Sequence, residues 1–178
     1  ETALALGSSG SLGEAERALD DVRYGGAPSY AGRNHEVLSQ WIPANLAKGW
    51  IADAAREIAG SLARTAAKTY TAESWAAVRA RGRAIPGLPR GRLPLGLFTA
   101  GLIPWADVPA VAGRIPEGAI VFVVRADDPE RATRVTHAGL VARGAGGAAL
   151  VRHATSSKGV ARVIEEPIER FLAREGRA

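Results

Sequence analysis

Two histidines set the chemistry this sequence can offer. His137 lies in Thr136-His137-Ala138-Gly139-Leu140-Val141 and His153 in Leu150-Val151-Arg152-His153-Ala154, with Gly144-Ala145-Gly146-Gly147 between them. Two short apolar runs flanking a glycine-rich turn predict a β-hairpin. A turn centred near Ala145 sets His137 opposite His153 and Gly139 opposite Val151, with all four on one face. Directly opposed Cβ atoms lie about 4.5–5.5 Å apart, within hydrogen-bonding reach for two imidazoles. A general base needs a partner on its second ring nitrogen to hold one tautomer. One histidine can then deprotonate a nucleophile while the other orients it. A one-residue slip in register would send the pair to opposite faces. Two histidines packed with no chemical role fit the same spacing.

The same sequence offers the elements of other chemistries. His137, His153 and His35 supply three nitrogens, the number some catalytic zinc sites use. Against this, the chain has no helical His-Glu-x-x-His pattern and no acidic residue in either hairpin strand. Gly7-Ser8-Ser9-Gly10 lacks Gly-x-Ser-x-Gly spacing and follows no predicted strand. Ser156 and Ser157 follow His153 in a predicted loop and serve to shape it. The sequence contains no cysteine, so no disulfide, thiolate ligand or cysteine nucleophile lies within these 178 residues.

The hairpin belongs to the clearest part of the chain. Ala119 to Val124 is a continuous apolar run suited to a buried strand. Thr136 to Ala142 and Ala148 to His153 form the hairpin, and Val160 to Ile164 predicts a further strand. Pro167 suits the first turn of a short helix whose buried face is Ile168, Phe171 and Leu172. The N-terminal half reads as helical. Residues 1–6 end a helix at Gly7-Ser8-Ser9-Gly10, and a second runs from Ser11 to Val22. A capping box of Ser11 and Glu14 starts it, and Leu12, Ala15, Leu19 and Val22 share its apolar face. Arg33 to Gln40 reads as helical, with Trp41-Ile42-Pro43 interrupting it. Residues 61–80 fit strand and helix alike. Helices followed by an antiparallel sheet make an α+β arrangement.

Composition allows one domain over residues 1–178: the apolar share of 47% is enough for a sizeable core. The net charge of +5 is spread along the chain and speaks first to solubility. The Arg-Gly-Pro stretch from Arg79 to Arg92 carries no aromatic residue for base stacking, so it reads as a solvated loop, not a nucleic-acid contact. No apolar run approaches the roughly 18 residues that span a bilayer.

Together the hairpin residues resemble a known group. His-Ala-Gly-Leu-Val, a glycine-rich turn and then Arg152-His153-Ala154-Thr155-Ser156-Ser157-Lys158-Gly159-Val160 are similar to the papain-like NlpC-type cell-wall hydrolases. Within that clan the resemblance is closest to the N-acetylmuramoyl-L-alanine amidase-like family. Val22-Arg23-Tyr24-Gly25-Gly26, Tyr30, Arg33-Asn34-His35, Trp41, Asn45, Gly49 and Ile115-Pro116-Glu117-Gly118-Ala119-Ile120-Val121 extend it over most of residues 1–175. The family's usual Gly-Asp before the first strand is Gly118-Ala119 here.

The resemblance implies a papain-like α+β fold and hydrolysis of a peptidoglycan amide by a cysteine thiolate. It makes His137 the base and His153 its orienting partner. On that reading Arg33 and His35 line the substrate cleft, Arg33 pairing with a stem-peptide carboxylate. Family members carry the cysteine in an Asp-Cys-Thr-like motif followed within a few residues by Glu-Thr. Since this chain starts at Glu1-Thr2, the expectation is a truncated N-terminal helix, a cysteine just before residue 1, and no activity in the chain as it stands. Peptidoglycan stem peptides or muropeptides are the expected partners, outside the cytoplasm, without nucleic acid, cofactor or metal. A non-catalytic domain binding cell-wall fragments or a partner is the competing class, and a histidine-ligated zinc hydrolase a third.

Overall fold

Local capping starts the helical region. The computed structural model describes residues 1–82, 85, 88–156 and 161–175. Helix α1 covers Thr2–Gly7 and α2 covers Leu12–Arg23. Ser11 Oγ accepts the Glu14 amide at 3.3 Å. Glu14 reaches back to the Gly10 amide at 2.8 Å, one residue before the expected reciprocal partner. Both bonds occupy amides that a helix start leaves unpaired. Ala15 and Val22 are buried, whereas Leu12, expected on the same face, is 71% exposed.

The helix expected over Arg33 to Gln40 is displaced. Arg33 bridges Tyr24 in an antiparallel pair, and a wide helical turn, Val37–Trp41, runs straight into α3, Ile42–Ala47. Pro43 sits in the first turn of α3 and so starts a helix where an interruption was expected; proline's missing N–H has no partner to lose there. Helix α4 spans Ala55–Ala59.

The ambiguous stretch 61–80 divides at Thr71. Strand β1, Arg64–Tyr70, alternates its burial, and α5, Ala72–Ala80, follows a reciprocal Thr71–Ser74 capping box. A second strand that the sequence reading did not identify, β2 at Gly96–Leu102, pairs with β1 in a two-stranded sheet. Within the basic stretch, Arg92 donates to the carbonyls of Ala31 and Gly32, both at 3.1 Å. Pro86, Ser157 and Val160 lie outside the described residues.

After the short helix α6, Val108–Val111, the chain builds a four-stranded sheet. Its strands are β3, Ile120–Val124; β4, Val135–Arg143; β5, Ala149–Thr155; and β6, Arg162–Pro167. They lie in the order β3-β4-β5-β6, each neighbour antiparallel. Helix α7, Ile168–Glu175, follows directly. Val123, Val141, Val151, Ile168 and Phe171 join Ala112 and Ile115 in one apolar core, with Leu172 partly buried against it. The architecture is therefore α+β.

By contacts the chain forms two compact units. One comprises Glu1–Asp53, Ala67–Ala100 and Asp127–Arg134; the other comprises Ala54–Ala66, Gly101–Ala126 and Val135–Ala178. In the first, Lys68 Nζ is 2.7 Å from Asp127 Oδ1, and Tyr70 Oη donates to the Ala132 carbonyl at 2.7 Å. No helix among the described residues is long and apolar enough to cross a membrane.

Candidate active site

The hairpin register corrects the expected pairing. Val141 faces Val151 and Leu140 faces Arg152, two residues away from the register that set His137 against His153. The turn centres on Gly146, not Ala145. Gly146 and Gly147 take φ of +69° and +80°, a left-handed region that glycine enters without steric cost. The slip is an even number of residues, so side chains keep their faces. His137 and His153 remain on the same side as a diagonal pair.

The diagonal is closed by side-chain reach. His137 Nε2 is 2.9 Å from His153 Nδ1. Between them stands Gly139, buried in β4. A Cβ there would meet Val151 Cγ1 at 2.6 Å, the Arg152 carbonyl oxygen at 3.2 Å and His153 Cβ at 3.3 Å. Only glycine leaves room for this approach. On the other edge Val123 pairs with His137 while Val124 pairs with Val135, leaving Thr136 as a bulge. Such bulges re-aim the side chain beside them.

Helix α7 covers the pair. The Phe171 ring lies 5.9 Å from that of His137 and 5.1 Å from that of His153. His153 is buried and His137 half-buried. Burial, more than any neighbour, lowers the pKa of His137. His153 and Arg174 push the same way, and Glu175 opposes them. The neutral ring, the form that can accept a proton, is thereby favoured.

Two residues that the sequence reading missed complete the cluster. His153 Nε2 is 3.0 Å from Glu166 Oε1, and Arg174 Nη1 is 2.6 Å from the same oxygen. Arg174 Nη2 also points at His153 Nε2, at 2.9 Å. That nitrogen must donate to Glu166 and accept from Arg174, so it satisfies one of them at a time. The available signal was strand alternation: Glu166 falls at a core-facing position of β6, where a carboxylate needs a partner. Among the described residues, Nδ1 of His137 has no hydrogen-bond partner.

Arg33 and His35 belong to the first unit, each with its own partner. His35 Nε2 donates to the Tyr30 carbonyl at 2.6 Å, and its ring lies 4.6 Å from that of Tyr30. Arg33 is exposed, with Nη2 3.5 Å from Glu1 Oε2, the oxygen Arg23 Nε holds at 2.9 Å. Among the described residues no group of three His, Cys, Asp or Glu side chains is arranged to hold a metal. Both nitrogens of His153 are already engaged, which leaves the three-histidine zinc reading without a second donor on the hairpin.

A family model described as AmiA-like, N-acetylmuramoyl-L-alanine amidase-like, matches residues 1–176. No curated protein matches the chain. Among solved structures, a protein from Legionella pneumophila is similar at 18% identity and a TM-score of 0.80, over 99% of this chain and 69% of that one. An N-acetylmuramoyl-L-alanine amidase from Bacteroides uniformis is similar at 19% identity and a TM-score of 0.66, over 92% of this chain and 69% of that one. At these identities the two structures speak to fold.

Proposed function

The chain belongs to the N-acetylmuramoyl-L-alanine amidase-like family, and from that premise we propose that it serves peptidoglycan amide hydrolysis with His137 as general base. The observation that carries the reading is the 2.9 Å contact between His137 Nε2 and His153 Nδ1. It occupies one nitrogen of the base and leaves the other to take a proton. His137 then returns that proton to the leaving amine, as a positioned general acid does. His153 is the positioning residue, and Arg33 and His35 contact the substrate.

The sequence contains no cysteine, so in this reading the attacking thiolate comes from outside the 178 residues. The thiolate attacks the amide carbonyl, the amine leaves with the proton from His137, and water then releases the acyl group. Substrates are stem peptides or muropeptides met outside the cytoplasm. We read residues 1–178 as one functional domain of the papain-like NlpC type, a reading supported by the extent of the family match. The same absence of cysteine favours a second reading, a domain that binds cell-wall fragments without cutting them.

The test is hydrolysis of a synthetic muropeptide by the protein translated from its gene with whatever residues precede Glu1. Release of amine that a thiol-alkylating reagent abolishes is the expected result. Binding without turnover would replace the hydrolase reading with the second one.

A further inference from the structure

Resting on the reading of His137 as base, we infer that Glu166, held by Arg174, is a positioning residue that fixes the tautomers of both histidines. Two proton orders can thread the same rings. In the first, His137 Nε2–H donates to His153 Nδ1 and His153 Nε2–H donates to Glu166, which leaves a lone pair on His137 Nδ1. In the second every bond reverses. Arg174 Nη2 donates to His153 Nε2, and His153 Nδ1–H serves His137 Nε2 and the Ala154 carbonyl, 3.3 Å away. His137 then carries its proton on Nδ1, and that nitrogen can no longer act as a base.

Burial decides between them. In the reversed order the Glu166 carboxylate faces an imidazole lone pair at 3.0 Å. The His153 and Glu166 side chains are 0% and 7% exposed, so water relieves nothing there. In the forward order Glu166 Oε1 accepts from both His153 and Arg174, and such charge-assisted bonds are the strong ones. The N–H of Arg174 that gives way belongs to a side chain 30% exposed, where solvent takes it. The forward order therefore prevails, and the negative charge of Glu166 is its cause. Because the partners of the reversed order are already in place, neutralising Glu166 should turn the whole chain of protons round.

The sequence holds three histidines, so long-range proton–nitrogen spectra of the imidazoles resolve each ring in the 178-residue chain, with His35→Gln identifying the third signal. The wild-type protein is expected to show Nε2–H at both His137 and His153; Nδ1–H at either overturns the inference and needs no variant. In Glu166→Gln the protonated-nitrogen signal should move from Nε2 to Nδ1 in both rings, and in Arg174→Gln it should stay on Nε2. A Glu166→Gln protein that keeps Nε2–H at both rings overturns the inference. The ring spectra need no turnover. The expected reversal, together with no muropeptide cleavage by the protein translated with the residues that precede Glu1, would remove the hydrolase reading and leave the tautomer assignment standing. Cleavage that depends on His137 without the reversal would do the opposite.

Discussion

Two buried glutamates, one in each compact unit, show how differently a fold can use the same side chain. Glu36 is 2% exposed and Glu166 6%. Glu36 spends its charge on one neighbouring serine: its Oε2 accepts from the Ser39 amide at 2.5 Å and the Ser39 hydroxyl at 2.6 Å, capping the wide turn before α3. Burial, reinforced by the negative charge of Glu36, raises the pKa of Tyr70 above its ordinary value. Glu166 instead ends on a histidine and an arginine. One carboxylate stops at the amide and hydroxyl of a single serine, while the other is joined to a histidine that relays protons to a second ring. Burial of an acid marks a constraint, and the identity of its partners says whether the constraint bears on chemistry.

The sharpest way to break this contrast is to remove the far end of the proton chain. Under the proposed function, the protein translated from its gene should lose about 10²–10⁴-fold of its muropeptide hydrolysis in His137→Ala, the usual worth of a positioned acid–base group. His153→Ala should cost less, since it removes the orienter and spares the base. Wild-type rates in both variants would end the assignment.

The next effect concerns the close approach that lets the chain of protons form. Gly139→Ala would drive a Cβ to 2.6 Å from Val151 Cγ1, inside a core where Val151 is fully buried. Overpacking of this kind costs about 1–3 kcal/mol. The denaturation midpoint should fall accordingly, and hydrolysis should fall with it as the imidazoles are pushed apart.

Glu36→Ala is the matching control in the first unit. Loss of a capping side chain costs about 0.5–2 kcal/mol, read as a lower denaturation midpoint. Both hairpin imidazoles should keep the tautomers of the wild type. A change in them would dissolve the distinction between the two glutamates.

Acid should separate the regions further. Burial lowers the pKa of His137 in the folded protein, whereas the unfolded chain binds that proton near the ordinary value of about 6.5. As pH falls through that value the unfolded state takes up the proton first, so stability declines toward acid and recovers toward base. Urea titrations between about pH 8 and pH 5 should show a steeper decline for the wild type than for His137→Gln.

What could be read from the sequence follows its local rules. The capped start of α2, the hairpin strands, α7 and the shared face of His137 and His153 all rest on spacing and turn chemistry between near neighbours. The register did not, because four consecutive turn residues, Gly144-Ala145-Gly146-Gly147, permit more than one centre. The pairing of Val141 with Val151 inside the apolar core selects it. In the sequence Pro43 reads as a breaker, because its position within a helix depends on where that helix begins. Glu166 and Arg174 escaped for a further reason: they reach His153 from the next strand and from α7, 13 and 21 residues away. Neither separation is a period of strand or helix.

Arg33 offers the smallest effect, and its size is informative. Its guanidinium is 48% exposed and 3.5 Å from Glu1 Oε2, an oxygen that Arg23 already holds at 2.9 Å. Exposed ion pairs contribute about 0–1 kcal/mol, and Glu1 keeps its better partner, so Arg33→Ala should shift stability by less than about 0.5 kcal/mol. Its consequence should appear in KM for an acidic stem peptide, with kcat unchanged, as when an interaction is equal in ground and transition states. Amidating the peptide carboxylate should then remove the difference between wild type and variant. A fall in kcat at constant KM would place Arg33 in the chemical step and erase the contrast with the histidine chain. A KM effect that survives amidation would mean the contact is made to some other part of the substrate.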